Sequence, residues 1–166
     1  MEQNARQQNV RQQVFRERPF LVLDRSYPVA PEKVWRAWTD PEALKRWWGP
    51  GGPDNRVSVA ELDVRIGGRF RIVFGGKEGD EHEVTGVYVI VQPCRDDRAG
   101  KLGFTWTWPR STPERESVVT LEFVATARGT DLRFKHEQLH DESVRDGHKR
   151  GWTAALAKLD EYLSHA

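Results

Sequence analysis

Between Arg69 and His136 the chain turns back on itself every few residues, while its apolar side chains recur at every second position. Phe70, Ile72 and Phe74 alternate with Arg69, Arg71 and Val73. Leu102, Phe104, Trp106 and Trp108 alternate with Gly103, Thr105 and Thr107. Val119, Leu121 and Phe123 repeat the pattern, as do Leu132, Phe134 and His136, and Val84 to Val91 is a β-branched run among them. A period of two places alternate side chains on one face, so these runs are strands with one buried side. The spacings between them fit hairpins, which makes the sheet antiparallel.

A sheet with one apolar face needs a cover, and the end of the chain supplies it. Val144, His148, Trp152, Ala155, Leu156, Leu159 and Leu163 recur at spacings of three and four. They form one face of a helix about 20 residues and about 30 Å long. Ser143 to Asp146 resembles a capping box, and Asp141 is an alternative cap. At the other end, Phe20 to Tyr27 reads as a strand, and Pro31 fits the first turn of a helix with Val34, Trp35 and Trp38 on one side. Asp40-Pro41-Glu42 starts a second helix, on which Leu44, Trp47 and Trp48 share a face until Gly49-Pro50-Gly51-Gly52-Pro53 stops it. Strands grouped together with helices at the ends define an α+β fold. One long helix cannot touch a curved sheet everywhere, so sheet, helix and the Trp-bearing short helices can enclose a pocket.

The chain of 166 residues fits one domain, residues 19–166, preceded by a Gln/Arg-rich polar arm at residues 1–18. The arm reads as loosely docked, or as a helix packing on a second subunit. A net charge of +1 gives no general electrostatic reason to bind nucleic acid or an anionic membrane. The single cysteine, Cys94, fits a reducing compartment, and nothing reads as a secretory signal or a membrane span. The expected location is therefore cytoplasmic. Lys77 to Glu81 and Glu114-Arg115-Glu116 read as solvated loops.

No chemistry-bearing motif stands up. His136-Glu137-Gln138-Leu139-His140 spells the zinc pattern H-E-x-x-H, which requires both imidazoles on one helix face. His136 instead ends a strand pattern and a turn precedes the next helix, so no metal is expected. His82, Glu83 and His148 have no spacing that recruits them as ligands. Cys94 lies in a polar loop with no histidine in sequence reach, and no phosphate-binding glycine pattern or nucleophile elbow occurs. No cofactor and no catalytic set is expected. The informative feature is aromatic: seven Trp and seven Phe in a chain with 31% charged residues. Trp is seldom fully buried, and small-molecule cavities are walled by aromatic groups with a few polar ones. Candidate cavity residues are Trp35, Trp47, Trp48, Phe70, Phe74 and Tyr88 from the first half of the chain. Trp106, Trp108, Phe123, Phe134, Trp152 and Leu156 follow in the second half. Arg69, His136, His148 and Tyr88 are the polar groups expected to face inward.

The stretch Tyr27 to Pro50, with Pro28, Pro31, Val34, Trp35, Trp38, Asp40, Pro41, Trp47 and Trp48 in order, resembles the opening of the heat-shock-protein ATPase activator-like (AHSA-type) domains. Gly67-Gly68-Arg69-Phe70, Gly86-Val87-Tyr88, His136 to Asp141, Gly151-Trp152, Leu156 and Leu159 fit the same pattern. These domains belong to the START and birch-pollen-allergen-like SRPBCC superfamily. The resemblance implies a helix-grip fold, a curved antiparallel sheet wrapped around the C-terminal helix with a hydrophobic cavity between. Members include co-chaperone domains, small-ligand binders and polyketide cyclase-like enzymes, and fold alone does not choose among them. The leading expectation is binding of an apolar or aromatic small molecule. The alternatives are a cyclase-like or hydrolase-like enzyme using His136 or Tyr88 for proton transfer, and a stress-related interaction module. A homodimer through a sheet edge or the arm is compatible with either. A chaperone partner is the least expected, because full co-chaperones carry a separate N-terminal domain and about 18 residues precede the match here.

Overall fold

The computed structural model describes residues 18–52, 54–76, 80–96 and 98–165. The expected arm lies outside these apart from Arg18, and so do residues 77–79 of the Lys77–Glu81 loop. Seven strands form one antiparallel sheet: β1 (Leu21–Tyr27), β2 (Arg56–Leu62), β3 (Arg69–Gly75), β4 (His82–Gln92), β5 (Gly100–Trp108), β6 (Thr112–Thr126) and β7 (Gly129–Glu137). Their spatial order is β1-β7-β6-β5-β4-β3-β2. Every neighbour from β2 to β7 is thus a hairpin partner, and only β1 joins out of sequence, pairing with β7 from Leu21 opposite His136 to Tyr27 opposite Thr130. Helices α1 (Pro31–Thr39) and α2 (Pro41–Leu44) carry the chain from the β1 edge to the β2 edge, and α3 (Glu142–Ser164) closes the fold. This is the expected α+β helix-grip architecture. Among the described residues no helix is long and apolar enough to cross a membrane.

The period of two sets the sheet's inner face. Leu132, Phe134 and His136 are buried on β7, Val119, Leu121 and Phe123 on β6, and Leu102, Phe104 and Trp106 on β5. Register shifts at Val57/Val59, Tyr88/Ile90 and Thr107/Trp108 interrupt the ladders, and such bulges bend and twist the strands that carry them. At Gly86 a Cβ would collide with the Thr105 carbonyl and the Phe70 ring, so only glycine lets β4 come this close. Glu114 to Glu116, read as a loop from their charge, instead belong to β6, where Glu116 pairs with Thr107. The ladder wins because these side chains can point to solvent without breaking it.

The helices differ from expectation in one place. Asp40 caps α2 as predicted, its side chain accepting from the Glu42 amide at 2.9 Å. The regular helix nevertheless ends at Leu44, and Trp47 and Trp48 sit on a following turn whose amides both bond to the Leu44 carbonyl. Gly49, at φ +86°, then turns the chain away, and Pro50 has no amide to continue a helix. Asp141, rather than Ser143, caps α3 by accepting from the Val144 amide at 2.8 Å.

Trp152, Ala155, Leu156, Leu159 and Leu163 bury one face of α3. Leu156 is fully enclosed. Leu156→Ala is expected to destabilise the fold by about 2–5 kcal/mol, because a cavity replaces packed methyl groups. Urea unfolding checks this, through a lower midpoint at unchanged slope.

Candidate functional site

The packing between α3 and the sheet is uneven. Along the C-terminal half of α3, Leu156, Leu159 and Leu163 are sealed against the apolar core. Along its N-terminal half a cavity of about 470 Å³ separates helix from sheet. Its wall is built by Trp106 and Trp108 of β5, Phe74 of β3, Trp48 on the turn after α2, and Val144, His148, Trp152 and Ala155 of α3. Arg18, His82, Arg115, Glu116 and His140 add the titratable or charged groups of the lining, and the exposed His140 and Ser111 mark where it reaches the surface.

Two glycines of α3, Gly147 and Gly151, also line the cavity. A glycine in a helix interior costs about 0.5–1 kcal/mol relative to alanine. Crowding does not require either one: a Cβ at Gly147 meets only the end of Arg150 at 3.8 Å, and one at Gly151 meets only Pro50 at 3.9 Å. Their effect is to widen the space under the helix.

The aromatic wall is cross-linked by imidazoles. An indole N–H can only donate. Trp152 Nε1 donates to His136 Nδ1 at 3.1 Å, so the neutral ring of His136 carries its proton on Nε2, 2.7 Å from Ser117 Oγ. Ser117 in turn donates to the Trp106 carbonyl at 3.4 Å. Trp108 Nε1 donates to His148 Nε2 at 3.3 Å, which leaves His148 Nδ1 to donate to the Val144 carbonyl at 2.9 Å. The two imidazoles lie edge to face, their centroids 4.8 Å apart. Burial holds both well toward the neutral form: His136 far below the ordinary histidine value, helped by neighbouring His148, and His148 less far, opposed by its bond to the Val144 carbonyl.

These bonds bear on the catalytic alternatives. With its proton on Nε2, His136 donates to Ser117 and cannot take a proton from it, so the pair is not a nucleophile with its base. His136 is also completely enclosed. Tyr88 is buried among Phe70 and Phe104, away from the cavity, and burial raises its pKa. The two histidines of H-E-x-x-H part company as argued: His136 ends inside the sheet, Gln138 adopts φ +62°, and His140 is exposed.

Of the other sequence-derived candidates, Trp48, Phe74, Trp106, Trp108, His148 and Trp152 come together on the cavity wall. Phe134 and His136 stand directly behind Trp152, the Phe134 ring 4.5 Å from it. Trp47, Phe70, Phe123 and Leu156 are core. The Trp47 indole is tied to the Ala37 carbonyl at 3.0 Å, and half-buried Trp35 packs edge-on against Phe123. Arg69, expected inward, is exposed, because it precedes inward Phe70 by one residue in β3. Sequence reasoning missed Ser117, Gly147, Gly151 and the rim residues Arg115 and His140. The glycines alone left a signal, as two helix-weakening residues four apart on the cavity side of a strongly patterned helix.

A curved antiparallel sheet gripping a C-terminal helix, with an aromatic cavity between them, defines a helix-grip domain. The chain belongs to the family described as "Activator of Hsp90 ATPase homolog 1-like protein", whose model matches residues 28–164. Similar solved structures include protein CV1439 from Chromobacterium violaceum, at 24% identity and TM-score 0.75, covering 87% of this chain and 96% of that one. The AHSA1 protein from Silicibacter pomeroyi is similar at 30% identity and TM-score 0.71, over 88% of this chain and 98% of that one. Protein NE0264 from Nitrosomonas europaea matches at 25% identity and TM-score 0.70, over 88% and 94%. No curated protein matches the chain.

Two measurements test the polar wall. Ser117→Ala leaves the His136 Nε2 proton without an acceptor and is expected to cost about 1–3 kcal/mol in denaturant unfolding. Both histidines are held neutral in the fold, so the unfolded chain takes up protons first as the pH falls. Stability is therefore full above the ordinary value of 6.5 and declines below it. Melting temperature is expected to fall between about pH 7.5 and about pH 5, and a flat profile would contradict this assignment of protons.

Proposed function

We propose that this domain binds an apolar, aromatic small molecule in the cavity between the N-terminal half of α3 and strands β5 and β6. The observation that carries this reading is the cavity itself, about 470 Å³ and walled by four indoles, within the range of about 300–1,000 Å³ usual for small-molecule sites. The helix accepts two glycines where a Cβ would fit, which keeps that space open at the expense of helix stability. Affinity comes from removing the guest's apolar surface from water against Trp48, Trp106, Trp108 and Trp152, at roughly 25 cal/mol per Å² before the costs of association. His136 has both ring nitrogens committed and Arg69 faces away, so neither orients the guest. That part falls to the rim, where Arg115, Glu116 and His140 meet any polar end of the molecule.

The neutral fluorophore N-phenyl-1-naphthylamine is a suitable probe, being aromatic, apolar and small enough for the space. Saturable quenching of Trp emission is expected on titration. Gly151→Leu projects into the cavity from a helix position where a Cβ meets only Pro50 at 3.9 Å, so thermal stability should hold or rise through helix propensity while affinity falls about tenfold or more, as expected if crowding costs the guest about 1–3 kcal/mol. Equal binding to both proteins would place the probe elsewhere and remove the basis for this function.

A further inference from the structure

We propose that His148 is a proton-controlled latch on this cavity: its neutral imidazole holds Trp108 in the wall, and protonation releases Trp108 and weakens binding of an apolar guest. The proposal rests on the reading of the cavity as a binding site and adds its regulation. A neutral imidazole has one lone pair. In His148 that lone pair is on Nε2, because Nδ1 donates to the Val144 carbonyl at 2.9 Å. The Trp108 indole has one hydrogen, and its partner is that lone pair, at 3.3 Å. A proton on Nε2 converts acceptor into donor, and two N–H groups then face each other. The bond does not weaken gradually; its direction is lost.

The surroundings make His148 the histidine through which such a change reaches the cavity. It is half-buried and lines the space, so a proton can arrive from solvent, whereas His136 behind it is sealed. From β7, His136 faces it edge-on at 4.8 Å. From β4, His82 lies beyond the Trp108 ring, 6.4 Å from it. From β6, Arg115 and Glu116 line the same cavity with opposite charges, and Arg18 and the His140 side chain add to the rim. From β5, Trp106 and Trp108 present rings rather than charges. Partial burial already favours the neutral imidazole, and an apolar guest against it removes more water and favours that form further. Linkage then requires that binding weaken as the pH falls, because the guest prefers the unprotonated protein.

The test uses the full chain and N-phenyl-1-naphthylamine, whose diarylamine nitrogen does not titrate in the range used. Its Kd is expected to weaken as the pH falls from about 7.5 to about 5, with a limiting slope of about tenfold per pH unit below the His148 pKa. The protein is confirmed folded at both values by circular dichroism. The Trp108 indole N–H resonance should move with pH in the unliganded protein along one titration curve. In His148→Gln, whose amide oxygen still accepts the indole proton but does not titrate, the ratio of the two Kd values should approach one and the resonance should stay in place. A wild-type Kd that is the same at both pH values, or an undiminished pH dependence in His148→Gln, overturns the latch while leaving the cavity reading intact. Absence of binding at about pH 7.5 overturns the cavity reading, and the latch as a regulator of binding with it.

Discussion

The hydrogen bond from the Trp152 indole to His136 Nδ1 is the joint on which the rest of the interior turns. It ties the middle of α3 to the inner face of β7 at 3.1 Å, and the Trp152 ring is held by Phe134 at 4.5 Å and Trp106 at 5.1 Å. Beyond this joint, toward the C-terminus, the helix lies on a filled core. Before it, toward the N-terminus, helix and sheet separate. A straight helix can follow a curved sheet closely over only part of its length, and Trp152 marks where contact gives way to space. The bond costs little in exposed polarity because the chain of donors closes: indole to imidazole, imidazole to Ser117, Ser117 to a backbone carbonyl.

The sheet and the short helices shape the same space from the other side. The register shift at Thr107/Trp108 falls where β5 reaches the cavity, and it accompanies the change from a buried Trp106 to a half-buried Trp108 whose indole reaches His148. Beside it, the turn after α2 places Trp48 on the same wall, with its ring stacked on Trp106 at 5.8 Å. That turn is fastened to α3 by Lys158, whose ammonium donates to the Gly49 carbonyl at 3.0 Å and lies 3.4 Å from the Trp48 carbonyl. A side chain from the filled half of the helix thus fixes one wall of the hollow half. Burial lowers the pKa of Lys158, the cost of placing an ammonium there.

Much of this architecture was legible in the residue order. The alternation of Leu132, Phe134 and His136 identified a strand and its inner face, and the spacing from Val144 to Leu163 identified the covering helix, because both signals report on burial, which is what periodicity measures. Periodicity does not report where two buried faces fail to meet. Trp47 and Trp48 are neighbours on one predicted face, yet one is locked to a carbonyl in the core and the other walls the cavity. Phe70 and Tyr88 are as aromatic as Phe74 and Trp108, but they close a void of about 10 Å³ on the far side of Trp48, too small for a guest. Helix α2 is shorter than its apolar spacing implies for a related reason: Leu44, Trp47 and Trp48 satisfy helical spacing on a single turn, which needs no further regular helix.

Among the indoles whose N–H finds an acceptor, the kind of acceptor separates structure from adaptable surface. Trp47, in the core, donates to the Ala37 backbone carbonyl, an acceptor that no change of conditions removes. Trp152 and Trp108, on the cavity, donate to imidazoles, acceptors that exist only while the ring is neutral. Of these, His136 is sealed and its second nitrogen is engaged by Ser117, so its state is coupled to the integrity of the fold. His148 is half-open to the cavity, and the residue it holds is part of the wall. The same bond type therefore has two consequences, set by burial alone: beside the core it stabilises the joint between helix and sheet, and at the cavity it leaves the wall's shape dependent on a single exchangeable proton.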